Sequence, residues 1–182
     1  MSDQQRSPGE IRVDPDYFLV SKTDSRGRIT YANRAFMVVS GFPEQELLGC
    51  PHSVIRHPDM PRGVFRLLWE SVANGDEFFG FIKNRTADGG FYWVFADVTP
   101  DWNLSGALDG YHSVRRAPRE EGVRTMAALY EEMRRVEAER SSNAAPEAGR
   151  DWLLGQAREA GYAGYRDWVL DLQSGREFRR TA

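Results

Sequence analysis

FFGFIKNRTADGGFYWVFADVTP, residues 78–100, reads as two strands and the turn between them. Aromatic and β-branched residues crowd both halves, with Asp88, Gly89 and Gly90 between them. An Asp-Gly turn flanked by strand formers is a strong hairpin signal, because glycine reaches the positive φ that tight turns require. After WNLSG (102–106), the stretch ALDGYHSVRRA (107–117) predicts a third strand.

Working upstream, PRGVFRLLWESVANG (61–75) has the period of an amphipathic helix. Val64, Leu67, Leu68 and Val72 share one face, Asn74-Gly75 closes it, and Asp59 is a candidate cap. PHSVIRHPDMP (51–61) cannot be one helix, since Pro58 and Pro61 each remove a donor and restrict the preceding residue. Short helices are predicted in RAFMVVSG, capped by Asn33 and ended by Gly41, and in EQELLG behind Pro43. YFLVSKTD (17–24) and RITYAN (28–33) form a second hairpin about Asp24 and Gly27. The order is strand, strand, short helices, long helix, three strands. It predicts an α+β domain with a five-stranded antiparallel sheet over residues 17–118.

The flanks differ in texture. Residues 1–16 are polar, with two prolines and a glycine, and read as a flexible arm. Pro118 ends the domain. Residues 119–142 hold a second amphipathic helix, with Val123, Met126, Ala127, Tyr130 and Met133 as its apolar stripe. Such a stripe is either an association seam or a face folded back on the sheet. Residues 143–182 read as a linker and a small helical segment rich in aromatics, among them Trp152, Tyr162, Tyr165 and Trp168.

Composition narrows the function. The chain has 182 residues, 41% hydrophobic and 28% charged, which suits one globular domain with an appendage. A net charge of -3 gives no broad basic field for nucleic acid. No apolar run is long enough to span a membrane, and the N-terminus has no apolar signal segment, so a cytoplasmic protein is expected. A single cysteine, Cys50, excludes an internal disulfide and a cysteine-based zinc site. No P-loop, catalytic triad or metal cluster is present, and no enzyme activity is expected.

YANRAFMVVSGFPEQELLG, then GCPHSVIRHPDMP, then the 78–100 hairpin with its KNRTADGGFYWV core resemble the PAS domain of bacterial aerotaxis receptors. RHPDMP is the most distinctive piece. The resemblance implies a PAS fold in which short helices cover a pocket for FAD, and a role in redox sensing and signal transduction. Asn84 is at the position where flavin-binding PAS domains carry an asparagine for the pyrimidine edge of the ring; an amide supplies both donor and acceptor. Asn33 is a second such amide, and also a helix cap. Arg56, His57 and Asp59 carry the family motif, with Arg56 suited to a pyrophosphate; a loop salt bridge between Arg56 and Asp59 is the plainer alternative. Phe65 and Phe78 are candidates for packing on the ring, or for ordinary core. Phe78 replaces the tryptophan that is usual in the family. Alignment with light-sensing flavin PAS domains puts His52, not Cys50, at the reactive cysteine's place, so no photochemical adduct is expected.

The expected function is a soluble FAD-binding PAS sensor of redox state or oxygen. Membrane and signalling segments of full receptors have no counterpart here, so output is expected through a homodimer or a signalling partner. A cofactor-free PAS interaction module is the alternative.

Overall fold

In the computed structural model, which describes residues 9–175, five antiparallel strands form one sheet in the order β2-β1-β5-β4-β3. They are β1 (Leu19–Asp24), β2 (Ile29–Ala32), β3 (Phe78–Arg85), β4 (Phe91–Trp102) and β5 (Leu108–Arg116). Both expected hairpins are present: β1 pairs with β2 and β3 pairs with β4. Gly27 and Gly89 take φ of +75° and +88° in the two turns, a region that only glycine occupies without strain.

Between β2 and β3 lie α1 (Arg34–Ser40), α2 (Glu44–Leu47), a single 3-10 turn (His52–Ile55) and α3 (Arg62–Ala73). Asn33 caps α1 and Gly41 ends it in the left-handed conformation. Asp59 does not cap α3. That helix starts behind Pro61, and its first amides are met by Glu137 instead. Residues 49–57 bridge the sheet from edge to edge: Gly49 and Cys50 bond to Ile29 of β2, while Arg56 bridges to Asn84 and His57 N–H reaches Lys83 O on β3. Phe36, Leu47, Ile55, Val64 and Leu68 fill the space beneath.

After the sheet come α4 (Glu120–Ala138), α5 (Ala145–Glu159) and α6 (Tyr165–Ser174). The apolar stripe of α4 folds back on its own chain. Met126, Tyr130 and Met133 are buried, Tyr130 stacks on Trp93, and its hydroxyl donates to Phe81 O at 2.9 Å. Burying each such side chain contributes roughly 1.5–3 kcal/mol. α5 packs on α3 and α4, with Leu153 and Ala157 in the core, and α6 lies against β3 through Tyr165. Much of the stretch expected as linker, SSNAAPEAG (141–149), is the start of α5, which begins at Ala145. Helices 120–174 therefore share one hydrophobic core with the sheet. The arm is likewise held where described: Ile11 N–H bonds to Phe91 O at 2.7 Å and Val13 is buried. Residues 1–8 of that arm, and 176–182 of the C-terminal segment, lie outside the described residues.

Candidate functional site

Between the inner face of the sheet and the 51–69 segment lies a cavity of about 260 Å³. Strand alternation decides its lining. Ser21 and Thr23 of β1, Ile82 and Asn84 of β3, Ala96 and Val98 of β4, and Tyr111, Ser113 and Arg115 of β5 point in. Phe65, Leu68 and Trp69 of α3 close the opposite side, and the loop adds His52 and Arg56.

The walls are largely apolar, yet several buried polar atoms have no hydrogen-bond partner: Thr23 Oγ1, Arg56 Nε, Asn84 Nδ2 and Ser113 Oγ. Buried polar groups in proteins are nearly always paired, so four such atoms around one cavity, three on the sheet and one on the loop, mark a place for a ligand's own donors and acceptors. Across the strand pair from Asn84, the Tyr92 hydroxyl is buried, and burial pushes its phenol well above the usual range, with the neighbouring Arg115 and Asn84 acting the other way.

The charge is one-sided. Arg26, Arg56 and Arg115 line the cavity, and among the described residues no lining residue is Asp or Glu. Arg115 is 4% exposed. Its guanidinium donates to Ser21 Oγ at 3.1 Å and lies 2.7 Å from His52 Nε2. Burial pulls its pKa down to about 10, so it stays charged at neutral pH. Burial, then the neighbouring Arg115, hold His52 well below the usual range, so this imidazole is neutral.

Of the residues singled out in the sequence, Arg56, Phe65 and Asn84 line the cavity together, with the Arg56 guanidinium 3.5 Å from the centroid of the Phe65 ring. The other four stand outside its lining. Asn33 commits its amide to backbone: Oδ1 accepts from Phe36 and Val20 N–H, and Nδ2 donates to Phe18 O. Phe78 is buried against Tyr165. His57 Nδ1 accepts from Asp59 N–H, and its ring meets the Phe91 ring edge-on. Asp59 pairs with Lys83 at 2.7 Å and with Arg134 of α4 at 3.5 Å, not with Arg56. Its hydrogen bond to Lys83 holds the carboxyl below the usual range. Cys50 is not a lining residue, whereas His52 is.

Arg115, Ser113 and Thr23 escaped the sequence reading. One signal was available: Arg115 and Arg116 are adjacent in a strand, so one of the two must face inward. Among the described residues no group of His, Cys, Asp and Glu could hold a metal ion, and no helix is long and apolar enough to cross a membrane.

A family model described as PAS fold matches residues 29–115. The chain is 39% identical to the aerotaxis receptor of Escherichia coli over 127 residues, 70% of this chain and 24% of that protein. It is 33% identical to the nitrogen fixation regulatory protein of Klebsiella pneumoniae over 114 residues, 62% of this chain and 23% of the other. It thus spans about a quarter of the length of these relatives. Among solved structures, a light-oxygen-voltage domain studied with a flavin analogue superposes with a TM-score of 0.54 at 18% identity, covering 63% of this chain and 86% of that one. The light state of the Aureochrome1 LOV domain superposes with a TM-score of 0.52 at 18% identity, covering 65% and 91%.

Proposed function

Because residues 29–115 form a PAS domain related to the aerotaxis receptor, we propose that this chain is a flavin-binding sensor, with FAD as the flavin. In this reading it reports redox state or oxygen to a protein partner by changing conformation, without turnover. The supporting observation is the make-up of the cavity: apolar walls, unpartnered buried hydrogen-bonding atoms, and a lining that is cationic and, among the described residues, without a carboxylate. These fit a flat heteroaromatic ring with an amide edge and an anionic tail. A volume of about 260 Å³ suits one fused ring system, so the tail would leave past the exposed Arg26 and Trp69.

When bound, the cofactor supplies reversible reduction of its ring. Asn84 would bond the pyrimidine edge, Phe65 would wall the ring, and Arg56 would face the pyrophosphate. Asn33, His57, Asp59 and Phe78 would act from behind: Asn33 fixes the start of α1, and Asp59 and His57 fix the loop that carries Arg56. That loop is also the route outward. Asp59 contacts Arg134, so displacement of Arg56 bears directly on α4 as a shift between populations. Since the α4 stripe is buried within the chain, a second copy or a signalling partner in the cytoplasm would use another surface.

The absorbance spectrum of the purified protein tests the reading. A two-banded flavin spectrum, with FAD released on denaturation, is expected. A colourless protein would favour a cofactor-free interaction module, and a Soret band would replace flavin by haem.

A further inference from the structure

Among the described residues, Arg115 is a buried cation without a counter-ion. It projects from β5 into the floor of the cavity, and among the described residues it forms no ion pair with a carboxylate. The groups that meet it are neutral: Ser21 Oγ from β1, His52 Nε2 from the 3-10 turn, and the Phe36 ring of α1 at 5.3 Å. A desolvated guanidinium is costly unless paired, and the usual partner is a carboxylate or phosphate. Lysine and arginine that serve structure alone snorkel to water or find an acid. Arg115 does neither, and it shares its cavity with Arg56, whose Nε is also without a partner.

We infer that Arg115 is the charge partner of the bound ligand, and that the cavity holds the negatively charged form of its ligand more tightly than the neutral form. The inference rests on the flavin reading for its ligand. Two electrons from a reductant and one proton from solvent convert a neutral oxidised flavin ring into a singly negative reduced ring. A fixed cation beside the ring stabilises that charge and raises the midpoint potential. Ser21 and His52 position the guanidinium; neither carries the charge.

The test is a spectroelectrochemical titration of the FAD-loaded full chain, with dithionite as the reference reductant. It compares wild type with Arg115→Gln, Arg115→Lys and Ser21→Ala. Arg115→Gln should weaken binding of the reduced form relative to the oxidised form by tenfold or more, a potential lower by about 30 mV for a two-electron couple. Arg115→Lys, which keeps the charge, should recover most of this, and Ser21→Ala should change it little. A purely structural arginine would lower the melting temperature of Arg115→Gln and leave its ratio of reduced-form to oxidised-form binding within twofold of wild type, which overturns the inference. If Arg115→Gln does not fold, Arg115→Met, uncharged and of similar length, takes its place: a potential lower than wild type by about 30 mV or more supports a ligand charge partner, and a wild-type potential overturns it. If the purified protein holds no flavin, the flavin reading fails separately, and melting is followed against inorganic phosphate. Stabilisation of wild type and of Arg115→Lys but not of Arg115→Gln keeps the anion site; equal response in all three removes it.

Discussion

Glu137 of α4 holds the amide of Gly63, 74 residues earlier in the chain: its Oε1 accepts from the Gly63 N–H at 2.7 Å. Its Oε2 accepts from the Arg62 N–H at 3.0 Å, so one buried carboxylate caps the first turn of α3. Negative charge at a helix N-terminus is favourable on its own, and the two charge-assisted bonds add to it. Gly63 lies so close to Met133 and to the Gly149–Arg150 backbone that no Cβ fits.

From this contact the sign of a substitution follows. Glycine to alanine inside an exposed helix stabilises by about 1 kcal/mol. Gly63→Ala should do the reverse, costing about 1–3 kcal/mol through overpacking. Urea denaturation of the two proteins should show a lower midpoint for the variant; a higher midpoint would mean that α3 and α5 separate more easily than their packing implies.

The α4 stripe gives a second prediction. Met126→Glu with Tyr130→Glu places two charges where both side chains are buried. An unpaired buried charge costs several kcal/mol. The protein should lose its fold or expand, seen by circular dichroism and light scattering. A folded monomer derived from a wild-type dimer would instead identify the stripe as an intermolecular seam.

Asn84→Ala should lower flavin retention and leave the fold intact. Each lost hydrogen bond is worth about 0.5–1.5 kcal/mol, and more where a buried partner is left unpaired. Unchanged flavin content together with an unchanged potential would remove Asn84 from the site.

Acid should destabilise the protein through His52. In the unfolded chain this imidazole titrates near pH 6.5; in the fold, burial and Arg115 keep it neutral well below that. As pH falls below about 6.5, the unfolded state takes up a proton that the folded state refuses. Stability is then lost at up to about 1.4 kcal/mol per pH unit, whereas above that pH His52 has no effect. His57, also lowered chiefly by burial, acts in the same direction. Denaturation at pH 7 and pH 5 should show the loss, and His52→Gln should flatten it.

What was legible in the sequence was local. The 78–100 hairpin, the Asn33 and Gly41 caps and the sharp break at PHSVIRHPDMP depend on neighbours within a few residues, and each formed as read. Asp59 was legible as a polar group near a helix start, but Lys83 and Arg134 claim it from other elements. The segment around Gly149 looks like linker because its residues are small. They are small because α5 must approach α3 at Gly63 and leave room for Glu137. The charge of the cavity was the hardest to see, because it depends on which of Arg115 and Arg116 faces inward and on the absence of acids from four strands, a helix and a loop that are far apart in the chain.

The segment 49–57 engages both margins of the sheet. It takes the backbone of Ile29 on one side and Lys83 O on the other, while the Tyr130 hydroxyl takes Phe81 O further along β3. Exposed strand margins are templates on which a foreign strand can add by backbone hydrogen bonding. Here those templates are largely occupied from within. Recognition by another molecule would therefore be written in side chains, and mutation of surface residues could redirect it without touching the ladder that holds the sheet together.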